Sequence, residues 1–278
     1  MIQKRLQPLL VVSALALAST QPAIGADISH EVREGRTGGF LEAGIGLAYD
    51  RVPLVAFVHD DFNESDDAQA SLHIHLEGRL EWRNFFAETI DTSFSDVAFG
   101  YTAWADHNNT VELVLSNQFS QYSPNEAAGF ETLDDRDGDL TLGFRSLHQR
   151  DNITLQFELG HDIADSHNGI IAAALIGRSW QLRNWNAHAL FGLRHFTDDV
   201  VDHYFGVSQS EATDTVAAYT AGSGTLASAD IGAVVPINEK WLFRTNLTLD
   251  RLPDSVVASP LASGRMAYSV SAQFVYVF

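Results

Sequence analysis

The sequence contains no cysteine, which excludes disulfide frameworks, thiolate metal sites and cysteine nucleophiles together. Positive charge is scarce. Seventeen Lys and Arg stand against 36 Asp and Glu, a formal net charge of −19. Affinity for phosphate backbones comes from Lys and Arg displacing counterions, so no nucleic acid is expected as a partner. Long hydrophobic runs are missing as well. The longest after the N-terminus, residues 170–177 (IIAAALIG), is far shorter than the ~20 residues a helix needs to span a bilayer. Charged residues, at 19%, are sparse for a soluble chain, while a mean hydropathy of −0.05 is too low for a bundle of membrane helices.

What is present begins with an export signal. Lys4 and Arg5 form a positive start, Leu9 to Ala18 a short apolar stretch, and Ala23-Ile24-Gly25 a small-x-small site before Ala26. Residues 1–25 are therefore expected to be a signal peptide, 26–38 a short periplasmic segment and 39–278 a barrel. Removing the signal takes away two cations and no acid, which moves the net charge from −19 to −21.

From Gly39 onward the dominant pattern is period-two alternation, the signature of strands with two unlike faces. Residues 72–82 show it best: Leu72, Ile74, Leu76, Leu80 and Trp82 alternate with His73, His75, Glu77, Arg79 and Glu81. Such segments are expected near 39–50, 52–59, 71–82, 95–106, 110–122, 139–150, 152–164, 169–182, 185–197, 225–236, 239–250 and 264–278. Each is roughly the 9–11 residues, or a little more, of a tilted membrane strand. Short turns fall at 107–109, Asp151, Arg183-Asn184 and Asn238, and longer loops alternate with them. Short periplasmic turns and long outer loops characterise outer-membrane barrels. The fold expected is all-β, a transmembrane antiparallel up-and-down barrel of about 12 strands, in contact with outer-membrane lipid. Because hydrocarbon leaves no backbone group unpaired, the sheet must close. Trp82, Trp180, Trp185, Trp241, Tyr268 and Tyr276 fall near segment ends, where interfacial girdles sit. The last strand carries Phe274, Tyr276 and Phe278 at alternate positions, which resembles the signal read by the bacterial barrel assembly machinery.

Leu133-Asp134-Asp135-Arg136, followed by Gly143, and Asn168-Gly169, at the end of residues 165–169, resemble an acidic-Arg motif and a strand-connecting turn of the MipA/OmpV family of outer-membrane barrels. Tyr204-Phe205-Gly206-Val207-Ser208, with Glu211 and then Ala218-Tyr219, resembles its most specific loop. Arg251-Leu252 with Asp254, then Ser259-Pro260-Leu261, resembles a further segment with wider spacing, and residues 60–82 look longer than the family pattern. The resemblance implies an outer-membrane location and a scaffold role joining a murein lytic transglycosylase to a murein synthase. Other members are described as porin-like or adhesive.

The residues themselves leave the chemistry open. Parity turns Glu77, Arg79, Glu81, Glu112, Arg145, Glu158, Arg194, Arg244, Asp250 and Arg265 inward. Five arginines with five carboxylates suggest a paired structural plug rather than a selective pore. Negative charge gathers in three loop clusters: Asp60, Asp61, Glu64, Asp66, Asp67; then Glu131, Asp134, Asp135, Asp137, Asp139 around Arg136; then Asp198, Asp199, Asp202, Glu211, Asp214. These are expected to be solvated, with weak Ca²⁺ or Mg²⁺ binding as the alternative. His73 and His75 with Glu77 offer metal-ligand atoms, but polar lining is the simpler reading. Asp165-x-His167, with Asp135/Asp137 or Asp198/Asp199, fits an omptin-type protease by residue type, but a polar turn ending in Asn168-Gly169 is the natural reading and proteolysis the remote one. The sequence assigns no cofactor and no catalytic residue.

Overall fold

A computed structural model describes residues 38–55, 69–89 and 97–278. The expected signal peptide, residues 26–37 and the first acidic cluster lie outside the described residues. The described chain forms one closed barrel of twelve antiparallel strands, each paired with the next and β12 with β1. The strands are β1 (Gly38–Arg51), β2 (Gln69–Trp82), β3 (Phe85–Thr89), β4 (Ala98–Ala105), β5 (Asn109–Ser116) and β6 (Thr141–Arg150). The second half comprises β7 (Ile153–Asp162), β8 (Ile170–Leu182), β9 (Trp185–Phe196), β10 (Gly224–Pro236), β11 (Trp241–Arg251) and β12 (Met266–Val277). Two short helices, α1 (Asp198–Phe205) and α2 (Asp254–Val257), sit in the connections after β9 and β11.

The alternation decides which face is which. On β2, Leu72, Ile74, Leu76 and Leu80 are 53–68% exposed, whereas His75, Glu77, Arg79 and Glu81 are 2–8% exposed. The apolar side is outside and the charged side inside, the reverse of a soluble sandwich and the arrangement that lipid demands. All five tryptophans of the chain, Trp82, Trp104, Trp180, Trp185 and Trp241, stand exposed close to the short-turn end. Tyr276 and Phe278 join that belt. Tyr276 lies 5.2 Å from Trp241 and 4.9 Å from Phe278. Phe274 also faces outward, 5.1 Å from Phe243. Tyr49 and Tyr268, 6.3 Å apart, mark the opposite end.

Twelve strands are present, but several expected bounds differ: the segment expected at 110–122 ends as β5 at Ser116, where the chain turns into the cap, and that expected at 95–106 is the shorter β4, Ala98–Ala105. Of the segment expected at 52–59, residues 52–55 form no strand and contribute one bridge, Leu54 to Ala262. The twelfth strand is β3 instead, reached through a two-residue turn at Arg83-Asn84, where Arg83 has φ of 59°. The turn at Arg183-Asn184 uses the same dipeptide, with Arg183 at φ 52°. Both are flanked by bulky apolar residues, Trp82/Phe85 and Leu182/Trp185, and this repeated pattern was the signal for β3 in the sequence.

Candidate functional site

Two regions hold the polar side chains that the strands and loops bring together: the lumen and a cap over its long-loop end. In the lumen, Arg79 donates to Glu81 at 2.6 Å, to Glu88 at 2.5 Å and to Glu112 at 2.7 Å. Arg145 reaches the same two acids, Glu88 at 2.6 Å and Glu112 at 2.7 Å. Four strands, β2, β3, β5 and β6, are thus tied across β4. Gly100 on β4 makes this possible, because a Cβ there would lie 2.2 Å from the Phe86 ring, over which Arg79 stacks at 3.9 Å. Arg244 on β11 spans β12 to donate to Glu42 at 2.8 Å, Glu77 at 2.9 Å and His75 Nε2 at 2.8 Å. A third network joins His188, which donates to Asp230 at 2.9 Å, to Asn246 and Thr248, both bonded to the other Asp230 oxygen.

Nine of the ten residues assigned inward lie on the lumen face; Arg265 does not. It precedes β12, is exposed, and pairs with exposed Asp254 at the head of α2. The sequence reading missed Glu42, Glu88, His188 and Asp230, all buried. Glu88 belongs to the overlooked strand, and Asp230 sits among Ala and Ser, where alternation has little contrast. The described lumen therefore holds four arginines, Arg79, Arg145, Arg194 and Arg244. Against them stand eight carboxylates: Glu42, Glu77, Glu81, Glu88, Glu112, Glu158, Asp230 and Asp250. The expected balance of charge is an acid surplus. His75, Glu77 and Glu42 do offer three clustered ligand atoms, without His73. The guanidinium of Arg244 already occupies all three, which is the arrangement of an arginine clip rather than a vacant cation site.

The cap is built from the connections after β5, β9 and β11, and its core is apolar. Phe119 stacks on Tyr204 at 4.3 Å, and Val200, Val201, Phe205, Leu252 and Val256 bury around them against Ile171, Phe196 and Leu226 of the wall. Leu133, Tyr122, Val207, Val216 and Leu261 form an adjoining cluster. The family-type loop motifs meet here. Arg136 donates to the Gly206 carbonyl at 3.1 Å and pairs with Glu211 at 2.8 Å. Glu211 also accepts the N–H groups of Asp134 at 3.0 Å and Ser208 at 2.8 Å. Burial would raise the Glu211 carboxyl, but those N–H groups and Arg136 hold it down at about 2. Ser259 donates to the Phe205 carbonyl at 2.6 Å, with partly buried Pro260 beside it, and Asp135 accepts from Asn125. Asn168, at φ 56°, and Gly169 close the turn after β7. A Cβ at Gly169 would meet Val200 at 2.5 Å.

The acidic clusters are therefore only partly solvated. Asp139 accepts the N–H groups of Gln118 at 2.6 Å and Phe119 at 2.9 Å, and Asp202 accepts that of Ala221 at 2.7 Å. Carboxylates capping loop amides are structural parts of the cap, a role that loop composition alone cannot display. The protease-like set is not assembled. His167 is buried, with its Nδ1 accepting from Gly169 N–H at 2.9 Å and its Nε2 at 3.3 Å from Asp139. Asp139 was not among the four proposed partner acids, and Asp165 is an exposed turn residue at φ 62°. Nearby, burial pushes the His203 imidazole down and the Tyr204 phenol up.

The profile of the family described as MltA-interacting protein MipA matches residues 52–278. The chain belongs to that family. Escherichia coli (strain K12) outer membrane protein YiaT is 22% identical over 229 residues, covering 81% of this chain and 85% of the relative. Outer membrane protein Omp26La of Vibrio anguillarum is 24% identical, over 70% of this chain and 77% of its own. Outer membrane protein OmpV of Vibrio cholerae is also 24% identical, over 61% and 68%. Among solved structures, the outer membrane channel DcaP of Acinetobacter baumannii has a TM-score of 0.42 at 8% identity, covering 87% of this chain and 97% of that one. An anion-selective porin from Comamonas acidovorans has a TM-score of 0.38 at 9% identity, covering 87% and 99%. This family member is an outer-membrane β-barrel, as its relatives and its apolar outer wall agree.

Proposed function

We propose that this barrel is a non-enzymatic docking platform that holds a murein lytic transglycosylase, and with it a murein synthase, at the periplasmic rim. The observation that carries the reading is the filled lumen. Arg79, Arg145 and Arg244 are locked into carboxylate networks reaching across neighbouring strands, with their side chains 5–7% exposed. A barrel whose interior is occupied by its own side chains works through its surfaces. The family's description supplies the partner class. The short-turn end is the periplasmic one by the general rule for such barrels. In this reading residues 1–25 are a signal peptide removed on export. Phe274, Tyr276 and Phe278 on the closing strand serve the barrel assembly machinery. Affinity capture from cross-linked envelopes tests the proposal: murein hydrolase and synthase should be enriched, and a catch free of both would reject it.

One observation favours a second reading, a small-solute channel. Eight lumen carboxylates against four arginines would draw cations if the side chains parted. Single-channel recording separates the two readings.

A further inference from the structure

Near the short-turn end, the strands of the outer wall carry two arginines that point away from the lumen, Arg150 at the last position of β6 and Arg178 level with it on β8. On β6, Arg150 shares the outward face with Leu142 and Phe144, and on β8, Arg178 shares it with Ile176 and Trp180. Register sets Arg150 opposite Ile153, and Ile153 opposite Arg178. Opposed residues share a face, so the arginines flank Ile153, two strand spacings or about 10 Å apart. Among the described residues neither has a carboxylate partner, including Asp151 in the adjacent turn. Arg178 lies over the Trp180 ring, 5.6 Å from its centroid. A guanidinium on a lipid-facing wall is costly unless its head reaches a counter-charge in the headgroup layer.

Directly above the pair the same wall is furrowed. Ala172 and Ala174 form a floor between Phe144, Phe157 and Leu159 on one side and Leu193 on the other. Ala174 is four residues from Arg178 along β8, about 13 Å at strand rise, which is within one acyl chain of the arginines. The planar guanidinium fork matches phosphate oxygens. We propose that the β6–β9 wall binds one anionic glycerophospholipid of the inner leaflet. Its phosphate sits between Arg150 and Arg178, and an acyl chain lies in the furrow over Ala172 and Ala174.

Native mass spectrometry of the purified barrel in nonionic detergent tests this, with phosphatidylglycerol and phosphatidylcholine offered in parallel. Phosphatidylglycerol is retained and phosphatidylcholine is lost. R150Q combined with R178Q weakens phosphatidylglycerol roughly 30-fold, each cation counting about fivefold, whereas R83Q, at a rim turn outside the pair, changes nothing. A174F fills the furrow and lowers retention without altering charge. Equal retention of both lipids, or undiminished binding by the double variant, overturns the proposal. So does displacement of the lipid by inorganic phosphate at equal concentration, which would mark a free-anion site. If the double variant fails to fold, judged by heat-modifiable migration, the single variants decide at about fivefold each.

Discussion

Replacing Arg244 by Leu removes the cation on which three partners converge. Glu42 at 2.8 Å, Glu77 at 2.9 Å and His75 at 2.8 Å all lose their donor, and all three are buried. Truncating one partner of a buried ion pair costs about 3–5 kcal/mol, because the remaining charge stays desolvated. At about 1.4 kcal/mol per factor of ten, the folding equilibrium should fall by roughly 10²- to 10⁴-fold. Urea unfolding of the refolded barrel in detergent, read as the folded and unfolded bands on unboiled gels, measures the shift. Adding E77Q to R244L should recover part of it, giving a coupling of about 0.5–3 kcal/mol in the double-mutant cycle. The loss should also survive about 1 M salt, since buried charges escape screening. A loss below about 1 kcal/mol, typical of exposed pairs, or one that disappears in salt, would mean a water-filled lumen. The filled-lumen reasoning would then fail, and the channel reading would take its place.

Other outcomes follow from the cap and the lumen. The Glu211 carboxyl is held at about 2 in the folded protein, below its unfolded value of about 4.3. Its contribution is therefore complete above the unfolded value and lost as pH falls from there towards 2. Protection of the amides of residues 132–136 and 206–208, taken relative to the intrinsic exchange rate at each pH, should fall over that window, and E211Q should weaken that dependence. Gly206→Ala would place a Cβ 2.4 Å from the Asp202 carbonyl, an overpacking expected to cost about 1–3 kcal/mol. It should speed exchange across α1 while leaving the barrel strands protected; uniform protection in both would refute the clash. In planar bilayers the wild-type barrel should pass no steady current, and a porin-like conductance would count against a self-filled lumen.

Much of the barrel was legible in the chain because its governing physics is local. Period-two alternation, visible at Leu72 to Trp82, depends only on the two faces of a strand meeting lipid and lumen. The turn dipeptide at Arg183-Asn184 and the terminal run to Phe278 are equally local signals. Strand β3 escaped because five residues carry too little alternation, and its turn at Arg83-Asn84 went unmatched to its twin. The motif residues Leu133, Arg136, Gly206, Val207 and Ser259 were legible as motifs, but not as neighbours.

The sequence by itself determined strand character, the two-faced wall and the absence of thiol chemistry, each a property of composition or short-range spacing. Only the tertiary structure decided who meets whom. Closure of β12 on β1 brings Glu42 and Glu77 to Arg244, residues separated by 202 and 167 positions along the chain. It also draws Arg136 to Glu211, turning two acidic loops into one clasped cap. Pairing of charges depends on ångström-scale distances across the barrel, and no spacing along a strand encodes those until the sheet has closed.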